Sequence, residues 1–137
     1  MADEIGFEVH VQVPYEQALE MVKQGLKTEG FGVLTAIDVK AIMKEKLGED
    51  FRPYTILGAC NPPLAHRALS EDPVVGLVLP CNVTVEADEE GTGSIIRFVN
   101  PEMMLTIGTF EGNPVLSEVA TQARERLERV AESLLPV

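Results

Sequence analysis

The sequence predicts a single α/β or α+β domain, in which one mixed β-sheet of about five strands packs with about four helices. Three observations lead to this prediction. Stretches in which apolar and polar residues alternate are followed by stretches with apolar residues at every third or fourth position. Asparagine-proline pairs, which are typical of helix starts, occur three times. The length of 137 residues suits one domain, and no linker, repeat or low-complexity segment divides residues 1–137.

Five stretches have the pattern of β-strands. From Ile5 to Val13, apolar residues alternate with polar ones, which predicts a strand with one buried face and places His10 on the polar side. The other stretches are rich in apolar or β-branched residues and are bounded by glycine, proline or asparagine. They are Phe31 to Ile37, Tyr54 to Cys60, Val74 to Glu86 and Ser94 to Val99.

Four longer stretches and one short turn have helical spacing. A helix opened by Pro14 is expected to end at Gly30, and Asp38 is expected to cap a short helix that stops at Gly48. In this second helix, apolar spacing predicts that four side chains point inward, those of Val39, Ile42, Met43 and Leu47. The three asparagine-proline pairs predict helices from Pro62 to about Glu71, a short turn from Pro101, and Pro114 to Leu134.

The net charge argues against two classes of partner. Acidic residues outnumber basic ones by 22 to 11, so the formal charge is −11 at pH 7. A surface of this charge repels phosphate backbones and anionic lipids, and we expect neither nucleic-acid binding nor membrane binding. The longest apolar run, Val74 to Val83, is interrupted by Gly76 and Pro80 and is about half the length of a membrane-spanning helix.

Two features predict a cytoplasmic protein. The start of the chain, Met1 to Glu4, is acidic and lacks the basic region and apolar core of a secretory signal. The chain has two cysteines, too few for a disulfide framework, and in a reducing compartment we expect both as free thiols.

Two Cys-Asn pairs form the candidate site. Cys60-Asn61 ends the third predicted strand and Cys81-Asn82 lies in the fourth, with a helix between them that is long enough for a parallel crossover. Parallel pairing would bring all four residues to the carboxyl edge of the sheet, where open α/β sheets usually bind ligands. The start of the following helix would favour a thiolate at Cys60, although Pro62 and Pro63 remove two N–H groups there and limit the effect. We expect Cys60 to be the more reactive thiol.

Several interpretations of these residues compete. Both cysteines are also explained as small buried hydrophobes, and both asparagines as capping or turn residues. A thiol-dependent enzyme would use Cys60 as nucleophile or redox thiol and Cys81 as its resolving partner. A closed zinc site needs four ligands, and two cysteines with His66 fall short, so we expect no metal. The chain lacks the usual nucleotide-binding, Cys-x-x-Cys and serine-hydrolase motifs.

Four phrases carry a resemblance to a known family. They are Gly30-Phe31-Gly32-Val33-Leu34, Asp38-Val39-Lys40, the phrase from Tyr54 to Pro62 around Cys60-Asn61, and Leu79-Pro80-Cys81-Asn82-Val83. In these phrases and their order the chain resembles the prokaryotic domain of unknown function 302 family, from the first strand to the last helix. The resemblance implies a compact α/β domain and a homodimer. It implies no reaction and no cofactor.

The sequence therefore favours a cytoplasmic homodimer that binds a small molecule around Cys60, Asn61, Cys81 and Asn82. A thiol-dependent enzyme and a structural or interaction domain remain the alternatives. Whether the protein is an enzyme, and which cofactor it would use, is not indicated by any motif.

The acidic composition makes a direct prediction about DNA. Because the chain has few cations with which to displace the counterions of DNA, we expect no measurable binding to duplex DNA at physiological salt. An electrophoretic mobility-shift assay checks this. A shift that weakens steeply as salt is added would contradict it.

Overall fold

Five strands pair into one antiparallel sheet. The computed structural model describes residues 4–136, so Met1 to Asp3 of the acidic start lie outside the described residues. The strands are β1 (Gly6–Val11), β2 (Gly32–Asp38), β3 (Tyr54–Cys60), β4 (Cys81–Ala87) and β5 (Ser94–Val99). Their order in the sheet is β1-β5-β4-β3-β2, which leaves β1 and β2 at the edges. The predicted fold class, a five-stranded sheet packed with helices, is confirmed.

Helices and 3-10 segments connect the strands of residues 4–136. The helices are α1 (Tyr15–Thr28), α2 (Val39–Leu47), α3 (Pro62–Glu71), α4 (Pro101–Met104) and α5 (Pro114–Leu134), and the 3-10 segments are Pro73–Val78 and Gly108–Phe110. Asn61, Asn100 and Asn113 each accept a hydrogen bond from a backbone N–H in the first turn of the helix that follows. The three predicted helix starts are therefore confirmed. Asp38 caps α2 in the same way, through the N–H of Ala41 at 3.0 Å.

Helices α1 and α5 cover one face of the sheet and build the main core with it. Each fully buried leucine, valine or phenylalanine there contributes about 1.5–3 kcal/mol through removal of apolar surface from water. The buried members of this core include Val11, Ala18, Val22, Leu26, Leu57, Ala59, Val83, Val85, Ile96, Phe98, Leu127 and Val130. A second buried cluster joins α3 and the first 3-10 segment to the first half of α5, with Leu64, Ala68, Val75, Leu105, Phe110, Leu116 and Val119 among its members.

The predicted strand from Val74 to Glu86 is wrong in its first half. Pro73–Val78 forms a 3-10 segment, whose first turn is fixed by a hydrogen bond from the N–H of Val74 to the Asp72 carboxylate at 3.0 Å. Strand β4 begins only at Cys81, after Pro80, which has no N–H to donate to a sheet. Val75 is buried and Val78 partly buried in the cluster with α3, whereas Val74 and Leu77 are exposed, so the apolar run does not mark a strand of the sheet.

The predicted parallel pairing of the third and fourth strands is also wrong. The chain leaves the sheet at Cys60 and returns at Cys81 at the same end, so β3 and β4 pair antiparallel, with Ala59 opposite Cys81. The other three pairings among the described strands are antiparallel as well, and the sheet is not mixed. Helix α3 and the 3-10 segment together bring the chain back to the end of the sheet that it left at Cys60. A single crossover helix would have brought it to the opposite end.

The interior positions predicted for α2 are also wrong. Val39 and Met43 are half-buried, Ile42 and Leu47 are exposed, and α2 has no buried residue. Strand β2, which precedes it, lies at the edge of the sheet and is exposed over most of its length. Within residues 4–136, the apolar side chains of Ile42 and Leu47 are therefore left uncovered.

The face of the sheet opposite α1 and α5, here called the polar face, carries a row of paired charges. Glu86 is 5% exposed in its side chain and accepts hydrogen bonds from Arg52, at 2.6 Å, and from Arg97. Arg97 also donates to Glu8 at 3.1 Å. Burial raises the pKa of Glu86, but the hydrogen bonds from Arg97 and Arg52 outweigh burial and hold its pKa below the usual value.

Replacing this carboxylate tests the contribution of the charge row. Because the folded-state pKa of Glu86 is depressed, its stabilisation is present above the unfolded-state pKa and is lost as the pH falls through the folded-state pKa. We expect Glu86→Gln to lower the free energy of unfolding by about 1.5–3 kcal/mol at pH 7, and by much less near pH 3, as measured by urea denaturation. Glu90→Gln, in the exposed turn before β5, is the control and should change stability by less than about 0.5 kcal/mol. An equal loss for Glu86→Gln at both pH values would contradict the prediction.

Candidate functional site

The two cysteines lie side by side at one end of the sheet. Cys60 is the last residue of β3 and Cys81 is the first of β4, and the pairing of Ala59 with Cys81 makes them neighbours across the two strands. Both are free thiols. Cys81 is on the side of the sheet that packs on the main core. The side chain of Cys60 belongs to the opposite face of the sheet, because successive residues of a strand alternate. Since Cys60 is the last residue of its strand, it still borders the same pocket as Cys81.

A pocket of about 250 Å³ opens beside these thiols. Its floor is the end of β3 and the start of β4, and its walls come from α3, α5 and the segment around α4. The lining side chains are almost all apolar, and they include Phe31, Leu34, Leu64, Ala65, Ala68, Leu69, Leu79, Pro80, Met104, Leu105, Val119 and Ala123. The pocket therefore lies where the two buried clusters of the protein meet.

Asn61 lines the pocket, but its amide is used to hold the fold together. Its side-chain oxygen accepts from the N–H of Leu64 at 3.3 Å, and its amide nitrogen donates to the carbonyl of Glu29 at 3.4 Å. Gly30 permits this second contact: it has φ +84°, and a Cβ there would lie 3.1 Å from the amide nitrogen of Asn61. Arg126 donates to the same carbonyl at 3.3 Å. Asn61 thus ties the start of α3 to the end of α1 and has little capacity left for a ligand.

Asn82 lies away from this pocket. It is exposed and pairs with Gly58 on the polar face, where it borders a separate shallow groove with Tyr54, Thr84 and Arg97. The structure thus brings Cys60, Asn61 and Cys81 to one pocket and leaves Asn82 on the other side of the sheet. Antiparallel pairing is the reason: Cys81 is the first residue of β4, so Asn82 continues along the strand and its side chain lies on the opposite face.

Neither thiol is activated. Burial raises the pKa of the Cys60 thiol, and burial together with the nearby Cys60 raises the pKa of Cys81 to about 11. The help from the start of α3 is weak, as the sequence indicates, because Pro62 and Pro63 remove two of the N–H groups that would face an anion. Both thiols therefore carry a proton at neutral pH, where a cysteine nucleophile would need to be a thiolate.

The surroundings of the pocket offer no metal cluster. Among residues 4–136, no three His, Cys, Asp or Glu side chains are close enough to hold one ion. His66 is on the exposed side of α3 and His10 is exposed on β1, where it contacts Glu8. Over the same part of the chain, no helix is both long enough and apolar enough to cross a membrane.

Most of the pocket wall was not identified from the sequence. Leu64 and Val119 follow ordinary helical apolar spacing, so they were indistinguishable from core residues. One signal was present at Gly58, where a Cβ would clash with the Thr35 side chain and lie 2.9 Å from Cγ of Pro80. This glycine lets the segment around Pro80 approach β3 closely and so shapes the rim of the pocket.

The comparisons with known proteins agree with this architecture. The family model described as "Domain of unknown function DUF302" matches residues 7–134. The crystal structure of an uncharacterised conserved DUF302 protein from Bacillus stearothermophilus is similar, with a TM-score of 0.84, 32% identity, and coverage of 96% of this chain and 98% of that one. The comparison with curated proteins gives no significant match. By the family match over nearly its whole length, the chain belongs to the DUF302 family, whose domains have no assigned function.

Proposed function

We propose that this protein is a cytoplasmic, homodimeric binding domain for a small, uncharged, apolar molecule. The observation that carries the proposal is the apolar pocket beside Cys60 and Cys81. Concave, mostly apolar pockets with a few polar groups are the usual form of small-molecule sites in proteins. Two free cysteines support the cytoplasmic assignment, because secreted domains of this size tend to form disulfides.

The lining of the pocket selects the class of ligand. No charged side chain lines it, and its polar groups are the amide of Asn61 and two protonated thiols. A charged ligand would lose its hydration without gaining a partner, which is costly, whereas an apolar ligand gains from every surface it buries. The volume of about 250 Å³ is just below the range of about 300–1,000 Å³ that is usual for ligand pockets, which favours a small molecule.

A thiol-dependent enzyme is the second candidate. The observation that favours it is the adjacent placement of the two thiols in one pocket. The raised pKa of both thiols argues against it, since the attacking species in nucleophilic and disulfide-exchange chemistry is the thiolate. The third candidate, an interaction domain without chemistry, predicts no small-molecule binding at all.

A neutral apolar dye tests the binding proposal. N-phenyl-1-naphthylamine, which fluoresces strongly in apolar surroundings, should bind the protein with one saturable site per chain. Ala65 lines the pocket, and Ala65→Leu should fill it and weaken dye binding by roughly tenfold or more in a fluorescence titration.

The matched control adds the same leucine to the solvent side of a helix. Ser117 is exposed on α5 and is not part of the pocket lining, so Ser117→Leu should bind the dye like the natural protein. The proposal fails if the natural protein does not bind the dye, or if Ala65→Leu binds it as well as Ser117→Leu does. Either result would favour the interaction domain.

Thiol reactivity separates binding from thiol chemistry. With a pKa of about 11, Cys81 has a thiolate fraction at pH 7 about a hundredfold below that of an unperturbed cysteine. We therefore expect Cys60→Ser, in which Cys81 alone remains, to react with iodoacetamide far more slowly than a free cysteine, with a rate that climbs as the pH approaches 11. Cys81→Ser measures Cys60, and it too should be slower than a free cysteine. A native thiol that reacts faster than free cysteine at pH 7 would favour the enzyme.

A further inference from the structure

Exposed apolar side chains are concentrated on β2 and α2. Leu34 is 66% exposed, Ile37 42%, Ile42 39% and Leu47 66%. They belong to two consecutive elements, one of which has no buried residue. Most of the stability of an amphipathic helix comes from packing of its apolar face. We therefore expect another molecule to cover the apolar side of α2.

Strand β2 is an edge strand whose one protective feature is a bulge near its beginning. Its residues from Gly32 to Ile37 carry no charge and include no proline, and its outer side has no pairing strand among the described residues. The shift in register between Val33 and Thr35 is its one irregularity, and the residues from Thr35 to Asp38 pair regularly with β3. An exposed, apolar edge of this kind is a template for pairing with another strand.

The mouth of the pocket lies beside the beginning of β2. Leu34 lines the pocket while most of its side chain is exposed, and so does Leu69 of α3, which is 42% exposed. Leu77, in the 3-10 segment packed on α3, is 85% exposed. Among the described residues, the apolar mouth of the pocket is therefore open to solvent, and the apolar side of α2 has no buried residue.

We propose that a second copy of this chain pairs antiparallel with β2 across a twofold axis, and that α2 of each copy covers the pocket mouth of the other. This inference rests on the proposed function for the role of the pocket. In an antiparallel pair, the end of one strand lies beside the beginning of the other. Because α2 follows Asp38 directly, it starts beside the partner's Gly32 and the partner's Leu34, where the partner's pocket opens.

Charge favours a second copy as the occupant. The whole chain has a charge of −11, yet α2 carries Lys40, Lys44 and Lys46 against one acid, Glu45. Lys44 pairs with Asp50 at 3.3 Å, and the charges of Lys40 and Lys46 have no acidic partner among residues 4–136. The α3 end of the pocket mouth is acidic, with Glu71 and Asp72 following shortly after Leu69. The positive charge of α2 is complementary to the acidic residues near the pocket mouth of an identical chain. A twofold axis forms this contact twice, once for the pocket of each copy.

Oligomeric state is the first test. Light scattering of the natural protein at micromolar concentration should give twice the chain mass of 14.9 kDa. The double variant Ile42→Glu/Leu47→Glu alters only exposed side chains and should give a monomer with an unchanged circular dichroism spectrum. The control, Ile107→Glu/Leu135→Glu, places the same two charges at apolar side chains elsewhere that are 42% and 45% exposed, and it should stay dimeric. A monomeric natural protein, or a double variant that remains a dimer, would overturn the proposal.

Cross-linking tests the geometry directly. In a background with Cys60→Ser and Cys81→Ser, differently tagged chains with Leu47→Cys and Leu69→Cys are mixed and treated with a short bis-maleimide. The two tags should be joined covalently, whereas chains with Ile107→Cys and Leu69→Cys should not be. A dimer that gives no 47-to-69 product would show that α2 does not reach the partner's pocket, and the inference would be wrong.

Dye binding separates this inference from the proposed function. If both hold, the monomeric double variant keeps an intact pocket but binds N-phenyl-1-naphthylamine roughly tenfold more weakly, because its pocket mouth is open. Equal affinity in monomer and dimer would overturn the covering role of α2 and leave the binding function standing. A cross-linked dimer that binds no dye would refute the binding function and leave the interface standing.

Discussion

The return of the chain to the same end of the sheet, between Cys60 and Cys81, is the constraint on which the rest of the structure depends. Helix α3 and the 3-10 segment Pro73–Val78 make this return. Helix α3 packs on α5, the 3-10 segment packs on α3, and the three elements share the second buried cluster. The two thiols become neighbours because one strand ends where the next begins. The pocket is the space left between this excursion and the sheet, so its apolar lining follows from its position between two cores.

Local chemistry was more predictable from the sequence than the path of the chain. The asparagine caps at 61, 100 and 113 and the aspartate cap at 38 are set by side chains close to the backbone N–H groups they bind, and all were predictable. The direction of β4 was not, because apolar residues from Val74 to Val78 fit a buried strand and a packed 3-10 segment equally well. The exposed side of α2 escaped detection for a related reason: spacing shows that a helix has an apolar face, but not whether that face is buried in the fold.

The candidate site was located correctly in part, and its chemistry differs from the expectation. Cys60, Asn61 and Cys81 do share a pocket, yet the asparagine is occupied by the end of α1 and the thiols are protonated. Two prolines at the start of α3 weaken the one local field that would have favoured a thiolate. The lining of the pocket is therefore almost entirely apolar, with few polar groups. Such a lining suits binding through shape and burial of apolar surface better than catalysis.

Methyl-resolved NMR tests the central claim, that this pocket takes an apolar ligand, most directly. N-phenyl-1-naphthylamine is titrated into protein with labelled isoleucine, leucine and valine methyl groups. Binding in this pocket predicts shift changes at Leu64, Leu69, Leu105 and Val119, with little change at Val11 and Val130 in the main core. Shifts that arise instead at Ile5, which borders the groove on the polar face, or no saturable shifts at all, would contradict the claim.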